Sequence, residues 1–238
     1  MVNRDDFKSF SEAISKHNII WDVIFDCIGY RPEQVKQTIN IFGASTKHYV
    51  FLSSDFAIPF YNNPSNNLQE FGYTQYGLNK KLCEEIIVGN NILPWTIFRS
   101  CHVYGVGSLL GCFPEHIRDK KLIETIVEFG KVQLVDSGKY IQQPLYVDDL
   151  IRILIGCIDN KHTKGNIYTL SGPSTIYSNY YYLLLGELLK KNVVIENISG
   201  NQFLLTHPDQ ILFLQDRIYD DTSKLRLSNP PCSMYRNP

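Results

Sequence analysis

His48-Tyr49-Val50-Phe51-Leu52-Ser53-Ser54 is the stretch that decides the fold. From Tyr49 to Leu52 the residues are β-branched, aromatic or aliphatic without a polar break, which is the composition of a buried strand. The run closes on two hydroxyls. In open α/β sheets ligands bind beyond the carboxyl ends of the strands, so Ser53 and Ser54 stand where a ligand would be met. Downstream, an Asn- and Pro-rich loop from Pro59 to Asn67 leads to Tyr76-Gly77-Leu78-Asn79-Lys80, the start of a helix-like run ending near Val88. Tyr76 and Lys80, four residues apart, share one helix face. An ammonium held near a phenol favours the phenolate and lowers a pKa that starts near ~10, so Tyr76 could exchange a proton near neutrality. Solvated helix faces carry the same pair for no chemical reason. The strand-end serines change that weighting, because they let a Ser, a Tyr and a Lys meet.

Further outward, strand and helix alternate. Upstream, Phe7, Phe10 and Ile14 recur at helical spacing between Asp5 and Lys16, Trp21 to Ile28 reads as a strand, and Pro32 opens a helix reaching Ile41 or Phe42. Downstream, Pro94 to Phe98 is the next strand. Alternation of this kind implies parallel strands with right-handed crossovers. After Gly111 the pattern changes: a helix over Ile117 to Phe129, a short strand Val132 to Val135, an apolar helix Val147 to Ile158, a strand Asn166 to Leu170, a helix Ser178 to Lys190 and a strand Val193 to Ile195. From Ser228 the chain reads as an irregular tail. The expected division is 1–110 and 111–238.

With 238 residues, 44% of them apolar, the chain can bury one sizeable core. A formal net charge of −1, from 23 basic and 24 acidic residues, gives no field to attract nucleic acid or an anionic membrane. Six cysteines without a Cys-x-x-Cys pair suggest a reducing compartment. The N-terminus lacks the apolar core of a signal peptide, and no apolar run reaches membrane-spanning length, so a cytoplasmic location is expected.

Several tempting motifs are set aside. Gly105-Val106-Gly107-Ser108-Leu109-Leu110-Gly111 follows a strand, but Leu110 stands where a phosphate loop needs a small residue and Pro114 follows at once, so a loop beside the site is expected. The histidines show no metal-ligand spacing with Cys or acids, so no metal is assigned. Asp148-Asp149 in a first helical turn reads as a cap and dipole partner. The tyrosines from Tyr177 to Tyr182 could stack on RNA, yet no basic residues interleave them.

Taken together, Asp22 to Gly29, Tyr49 to Asp55, Tyr76 to Lys80, Arg99 to Gly105, Pro144 to Leu150 and Asp221 to Leu225 resemble the extended short-chain dehydrogenase/reductase family, in its NAD-dependent epimerase/dehydratase group. The resemblance runs from about Val2 to Leu227. It implies NAD or NADP as cofactor and a small-molecule substrate carrying a sugar-type secondary alcohol. Tyr76 would be the general acid/base, Lys80 would bind the nicotinamide ribose and depress the Tyr76 pKa, and Ser54 would orient the reacting group. The segment Asp26, Cys27, Ile28 and Gly29 would lie against the cofactor, and Cys101 and His102 would touch nicotinamide and substrate. Asp55 and Gln142 would also face substrate. Asn3 to Asp6 resembles the segment that reaches the adenine.

The sequence departs from the family in three places. No counterpart of the opening strand, glycine-rich turn and next βαβ stretch precedes Asp22, so the expected fold is an N-terminally truncated Rossmann-like parallel sheet with helices on both faces and a small C-terminal substrate lobe. The pyrophosphate would then have no helix N-terminus to sit on, and an uncovered apolar sheet edge would favour a homo-oligomer or another partner chain. Phe56 replaces an acid of the sugar-nucleotide dehydratases, which argues against elimination by an acid pair. Gln142 stands where many nucleotide-sugar epimerases have a phosphate-binding Arg, a fork that a Gln cannot replace. The main reading is hydride transfer between NAD(P) and a secondary alcohol carbon. The rival is a catalytically silent binding module, with RNA binding third.

Overall fold

The computed structural model describes residues 3–15, 19–61, 70–158 and 160–219. The 221–225 motif, the tail, His17 and most of the 59–67 loop lie outside the described residues. Four parallel strands form the main sheet in the order Ile24–Asp26, Tyr49–Ser54, Trp95–Ser100, Asn166–Leu170. Tyr49–Ser54 is central, with Phe51 set between Asp26 and Ile97. Its side chains alternate between two cores. Tyr49 and Phe51 pack with Val35 and Ile39 of one helix and Cys83 and Ile87 of another, while Val50 and Phe98 pack with Leu150 and Leu154 of a third on the opposite face. The unbroken apolar run is therefore explained, since both faces of this strand are covered.

The helices, in chain order, are α1 (Phe7–Ser15), α2 (Pro32–Phe42), α3 (Gln75–Val88), α4 (Leu122–Phe129), α5 (Val147–Gly156), α6 (Ser178–Leu189) and α7 (Gly200–Thr206). At the start of α2 the Gln34 side chain accepts from the backbone N–H of Arg31, at 3.1 Å, and Pro32 occupies the first turn. The strand expected from Trp21 to Ile28 is only Ile24–Asp26. Trp21 makes an isolated bridge to Thr46, and the Asp26 carboxylate accepts the Ile28 N–H at 3.2 Å, which turns the chain out of the sheet.

The second region, here called the lobe, is a two-stranded sheet with a small core of its own. Lys131–Val135 pairs in parallel with Val194–Ile198, and Leu122 and Ile126 of α4 and Tyr182 of α6 close a core over Val132 and Leu134. The helix expected from Ile117 begins at Leu122. His116 and Arg118 hold left-handed φ angles of 56° and 54°, and the Asp119 carboxylate accepts the Lys121 N–H at 2.8 Å, so the first helical turn forms after them. Between the two lobe strands the chain returns to the main sheet to supply α5 and Asn166–Leu170. Residues beyond 110 thus serve both regions. Helix α7 and the 3₁₀ turn Pro208–Phe213 have no counterpart in the sequence reading; both are short and polar-flanked, with weak periodicity. Among the described residues no helix is long and apolar enough to cross a membrane, and no group of side chains could hold a metal ion.

Candidate active site

A cleft of about 580 Å³ opens where Ile24–Asp26, Tyr49–Ser54 and Trp95–Ser100 end, with Phe113, Ile117, Arg118, Phe213 and Arg217 on its other side. Seven expected site residues line it: Cys27, Ser54, Asp55, Tyr76, Lys80, Cys101 and His102. Asp26, Ile28, Gly29 and Gln142 do not.

Helix α3 brings two of these residues in. Thr74 caps it, accepting the Gly77 N–H at 3.0 Å, so Tyr76 falls in the first turn. Gly77 has a separate reason to be glycine: a Cβ there would overlap the Phe56 carbonyl oxygen. That close approach sets the Tyr76 ring edge-on to Phe56 at 6.0 Å. One turn further on, Lys80 is 1% exposed and its Nζ donates to the Leu52 carbonyl at 2.8 Å. The ammonium also lies 4.8 Å from the Phe51 ring centroid and 5.1 Å from that of Tyr30. Another turn on is Glu84, which the sequence reading missed. Its carboxylate takes a two-pronged contact from Arg99 and accepts the Ser53 hydroxyl at 2.6 Å. The repeat Tyr76, Lys80, Glu84 at four-residue spacing was the available signal.

The electrostatics differ from expectation at Tyr76. Burial raises its phenol above the ordinary tyrosine value, and the neighbouring Ser54 hydroxyl pulls the other way. Lys80 does not depress it in this arrangement, because the ammonium is engaged by Leu52 and lies 6.0 Å from the Tyr76 ring centroid. Burial lowers Lys80 itself to about 8, against the pull of neighbouring acidic groups. His102 is held below its usual value by burial, with the Arg118 charge adding to the effect, so it is a neutral imidazole at pH 7. Cys101 donates to the Gln143 carbonyl at 2.8 Å, and burial pushes its thiol up to about 12, which makes it a packing residue rather than a nucleophile.

Other expected residues are occupied elsewhere. Asp26 is buried and clamped by Arg4 at 2.7 and 2.6 Å while accepting the Tyr49 hydroxyl at 2.7 Å. Burial opposes its charge, but the Arg4 and Tyr49 hydrogen bonds outweigh that and hold it below the usual carboxylate value. The segment expected to reach an adenine is thus tied down by Arg4 on Asp26 and by Asp5, which accepts from Arg31 and Gln34 at 2.8 Å each. Gly29 packs its backbone against the Phe51 ring, and Ile28 is exposed. Asp55 is buried and paired with Arg217, and it also accepts the Tyr219 hydroxyl and, at 3.0 Å, that of Ser54. Arg217, absent from the sequence reading, lies 4.3 Å from the Phe56 ring centroid, and Phe56, Phe113 and Phe213 form an aromatic wall beside it. Gln142 is buried opposite Ile176 in the short antiparallel pairing of Ile141–Gln142 with Ile176–Tyr177. Asp148 and Asp149 lie in the first turn of α5 as expected, but neither caps it: the N-cap is Tyr146 with no side-chain cap bond, and Asp149 pairs with Arg152. Of the tyrosine cluster, Tyr182 is in the lobe core, while Tyr177 and Tyr180 are exposed.

No protein-family model matches the chain, and no curated protein does. Solved structures do match it. An epimerase from Methanothermobacter thermautotrophicus aligns with 93% of this chain and 74% of its own, at 13% identity and a TM-score of 0.64. The UDP-glucuronic acid 4-epimerase of Bacillus cereus, in complex with UDP-glucuronic acid and NAD, covers 83% of this chain and 67% of its own, at 16% identity and a TM-score of 0.62. The UDP-glucose 4-epimerase of Thermotoga maritima, with UDP-glucose, covers 93% and 75%, at 15% identity and a TM-score of 0.60. The chain shares its fold with nucleotide-sugar epimerases. At such low identity the likeness is one of fold, and the chemistry has to be argued from the cleft itself.

Proposed function

We propose that the chain is an NAD(P)-dependent oxidoreductase of the epimerase/dehydratase kind, acting on a secondary alcohol of a sugar or nucleotide sugar through Ser54, Tyr76 and Lys80. The observation that carries this reading is the convergence of those three side chains in one cleft at the carboxyl ends of parallel strands. The similar structures that hold NAD or UDP-sugars support it as analogy. In this reading the dinucleotide side is the 1–110 part and the substrate lobe lies within 111–238.

The residues present fit the nicotinamide-ribose end of such a cofactor. The Lys80 ammonium has three N–H donors and gives one to Leu52, leaving donors for ribose hydroxyls. Cys27 and His102 flank the same strand ends. Bound there, the nicotinamide would take up or return a hydride. Tyr76 exchanges the proton of the substrate oxygen, and Ser54, whose hydroxyl is held by Asp55 beside the phenol, orients that oxygen. Because burial raises the phenol, the free protein keeps the proton on Tyr76. The Phe56, Phe113 and Phe213 rings give the cleft an apolar wall beside the reacting centre.

The test has two parts. NAD(H) at about 100 times its dissociation constant should stabilise the fold by roughly 2.7 kcal/mol, seen as a rise in Tm of a few degrees. Tyr76→Phe should then lower kcat by roughly 10²- to 10⁴-fold without lowering Tm. The rival, a catalytically silent binding module, draws on the Lys80 ammonium being engaged by Leu52 rather than Tyr76. It predicts no nucleotide shift and no turnover in either form.

A further inference from the structure

The charges that the described residues bring to the cleft do not balance. Among the described residues that line it, Lys80, Arg118 and Arg217 supply three cations and Asp55 is the one carboxylate. Lys80 is held on the Leu52 carbonyl, and Arg217 and Asp55 answer each other. Arg118 is exposed and makes no ion pair with any described residue. Its charge is felt at the two polar groups of the reacting centre, the Tyr76 phenol and the His102 ring.

The loop that presents Arg118 is built with care. Its φ of 54° is left-handed, a conformation that costs a non-glycine residue roughly 1–2 kcal/mol and persists where the surroundings over-determine it. Here they do. The Asp119 N–H donates to the Leu110 carbonyl at 3.0 Å, the Asp119 carboxylate meets His116 Nδ1 at 2.9 Å, and the other nitrogen of that ring meets the Gln133 carbonyl at 3.1 Å. Gly111, at φ 117°, lets the backbone fold directly onto the His116 carbonyl. The root of the guanidinium is thus fixed at the cleft wall, on the side of the lobe.

We propose that Arg118 anchors an anionic group of the substrate, a phosphate or a carboxylate on the sugar-like molecule whose hydroxyl Tyr76 serves. The second half of that statement rests on the function proposed above; the anion site does not. A guanidinium fork matches the paired oxygens of either group. It supplies in the cleft the charge that Gln142, neutral and buried elsewhere, does not.

Calorimetric titration of the whole chain with glucose 1-phosphate, glucuronate and glucose tests the proposal. At least one charged sugar should bind the wild type more tightly than glucose, and which one does separates phosphate from carboxylate. Arg118→Gln should weaken that binding about tenfold or more and leave glucose unchanged, with Arg118→Lys in between. Arg118→Gly, which keeps the backbone relaxed, should lose the charged sugar as fully as the Gln variant, so that a folding defect in one cannot mimic the result. Equal affinity of charged and neutral sugars for the wild type overturns the proposal, as does undiminished binding of the charged sugar by both variants. No nucleotide and no turnover enter this measurement, so its failure leaves the oxidoreductase reading to the nucleotide melt.

Discussion

In the main sheet, the strands ending at Asp26, Ser54 and Ser100 open onto a cleft in which a buried ammonium, a phenol and a guanidinium have donors to offer. In the lobe, Lys131–Val135 runs straight into Asp136, whose carboxylate accepts the Gly200 N–H at 2.9 Å and the Tyr140 hydroxyl at 2.6 Å, with Lys139 at 3.3 Å. The neighbouring Glu115 accepts the Val135 N–H at 2.6 Å. Both regions are parallel β with helical cover, yet one closes its strand ends on itself and the other leaves an open cleft at them. Polar groups satisfied within the chain hold structure; those left with spare hydrogen-bonding capacity are where a ligand can be recognised.

Substitutions can break that contrast. The largest loss is expected beneath the cleft, where Arg99→Leu leaves Glu84, 1% exposed, with only the Ser53 hydroxyl. Urea denaturation should show about 3–5 kcal/mol of lost stability. Lys80 gives the next effect, as a pH dependence. Its folded pKa of about 8 lies below the unfolded value of 10.5, so the folded state is penalised for carrying the proton. The penalty is full below about 8 and disappears as pH rises to 10.5, so stability should climb across that window by on the order of 3 kcal/mol. The difference between melts of wild type and Lys80→Met isolates this term, and a flat difference from pH 7.5 to 10 would refute it.

Gly77→Ala should cost about 1–3 kcal/mol, because the new methyl meets the Phe56 carbonyl, and it should lower kcat as well by shifting Tyr76. A chemical melt together with turnover checks both halves. The smallest effect belongs to the lobe. Asp136→Ala removes the acceptor at the start of α7 and should cost about 1 kcal/mol, while nucleotide and sugar-phosphate titrations stay at wild-type values. A loss of ligand binding there would mean that the two regions are coupled and that the contrast drawn above is too sharp.

Much of the main sheet was legible in the sequence because its signal is local. An apolar run such as Tyr49 to Leu52 states its own burial, and Tyr76 with Lys80 states a shared helix face. The Trp21 to Ile28 run was overread, since nothing local reveals that the Asp26 carboxylate bends the chain by taking the Ile28 N–H. The Ile117 to Phe129 helix was overread for a similar reason, as apolar spacing says nothing of left-handed residues at His116 and Arg118.

The sequence by itself determined the alternation of strand and helix, the buried central strand, the hydroxyls at its end and the spacing that puts a phenol and an ammonium on one helix face. Each of these follows from periodicities of two or about four residues, which a chain carries wherever it folds. Only the tertiary structure decided which charges are consumed. Asp55 finds Arg217 from 162 residues away, Asp26 is taken by Arg4, and Arg118 is left facing the cleft. It also decided the direction in which Tyr76 is shifted. Pairing and desolvation depend on everything packed around a group, and that neighbourhood is assembled from segments whose separation along the chain carries no trace of their contact.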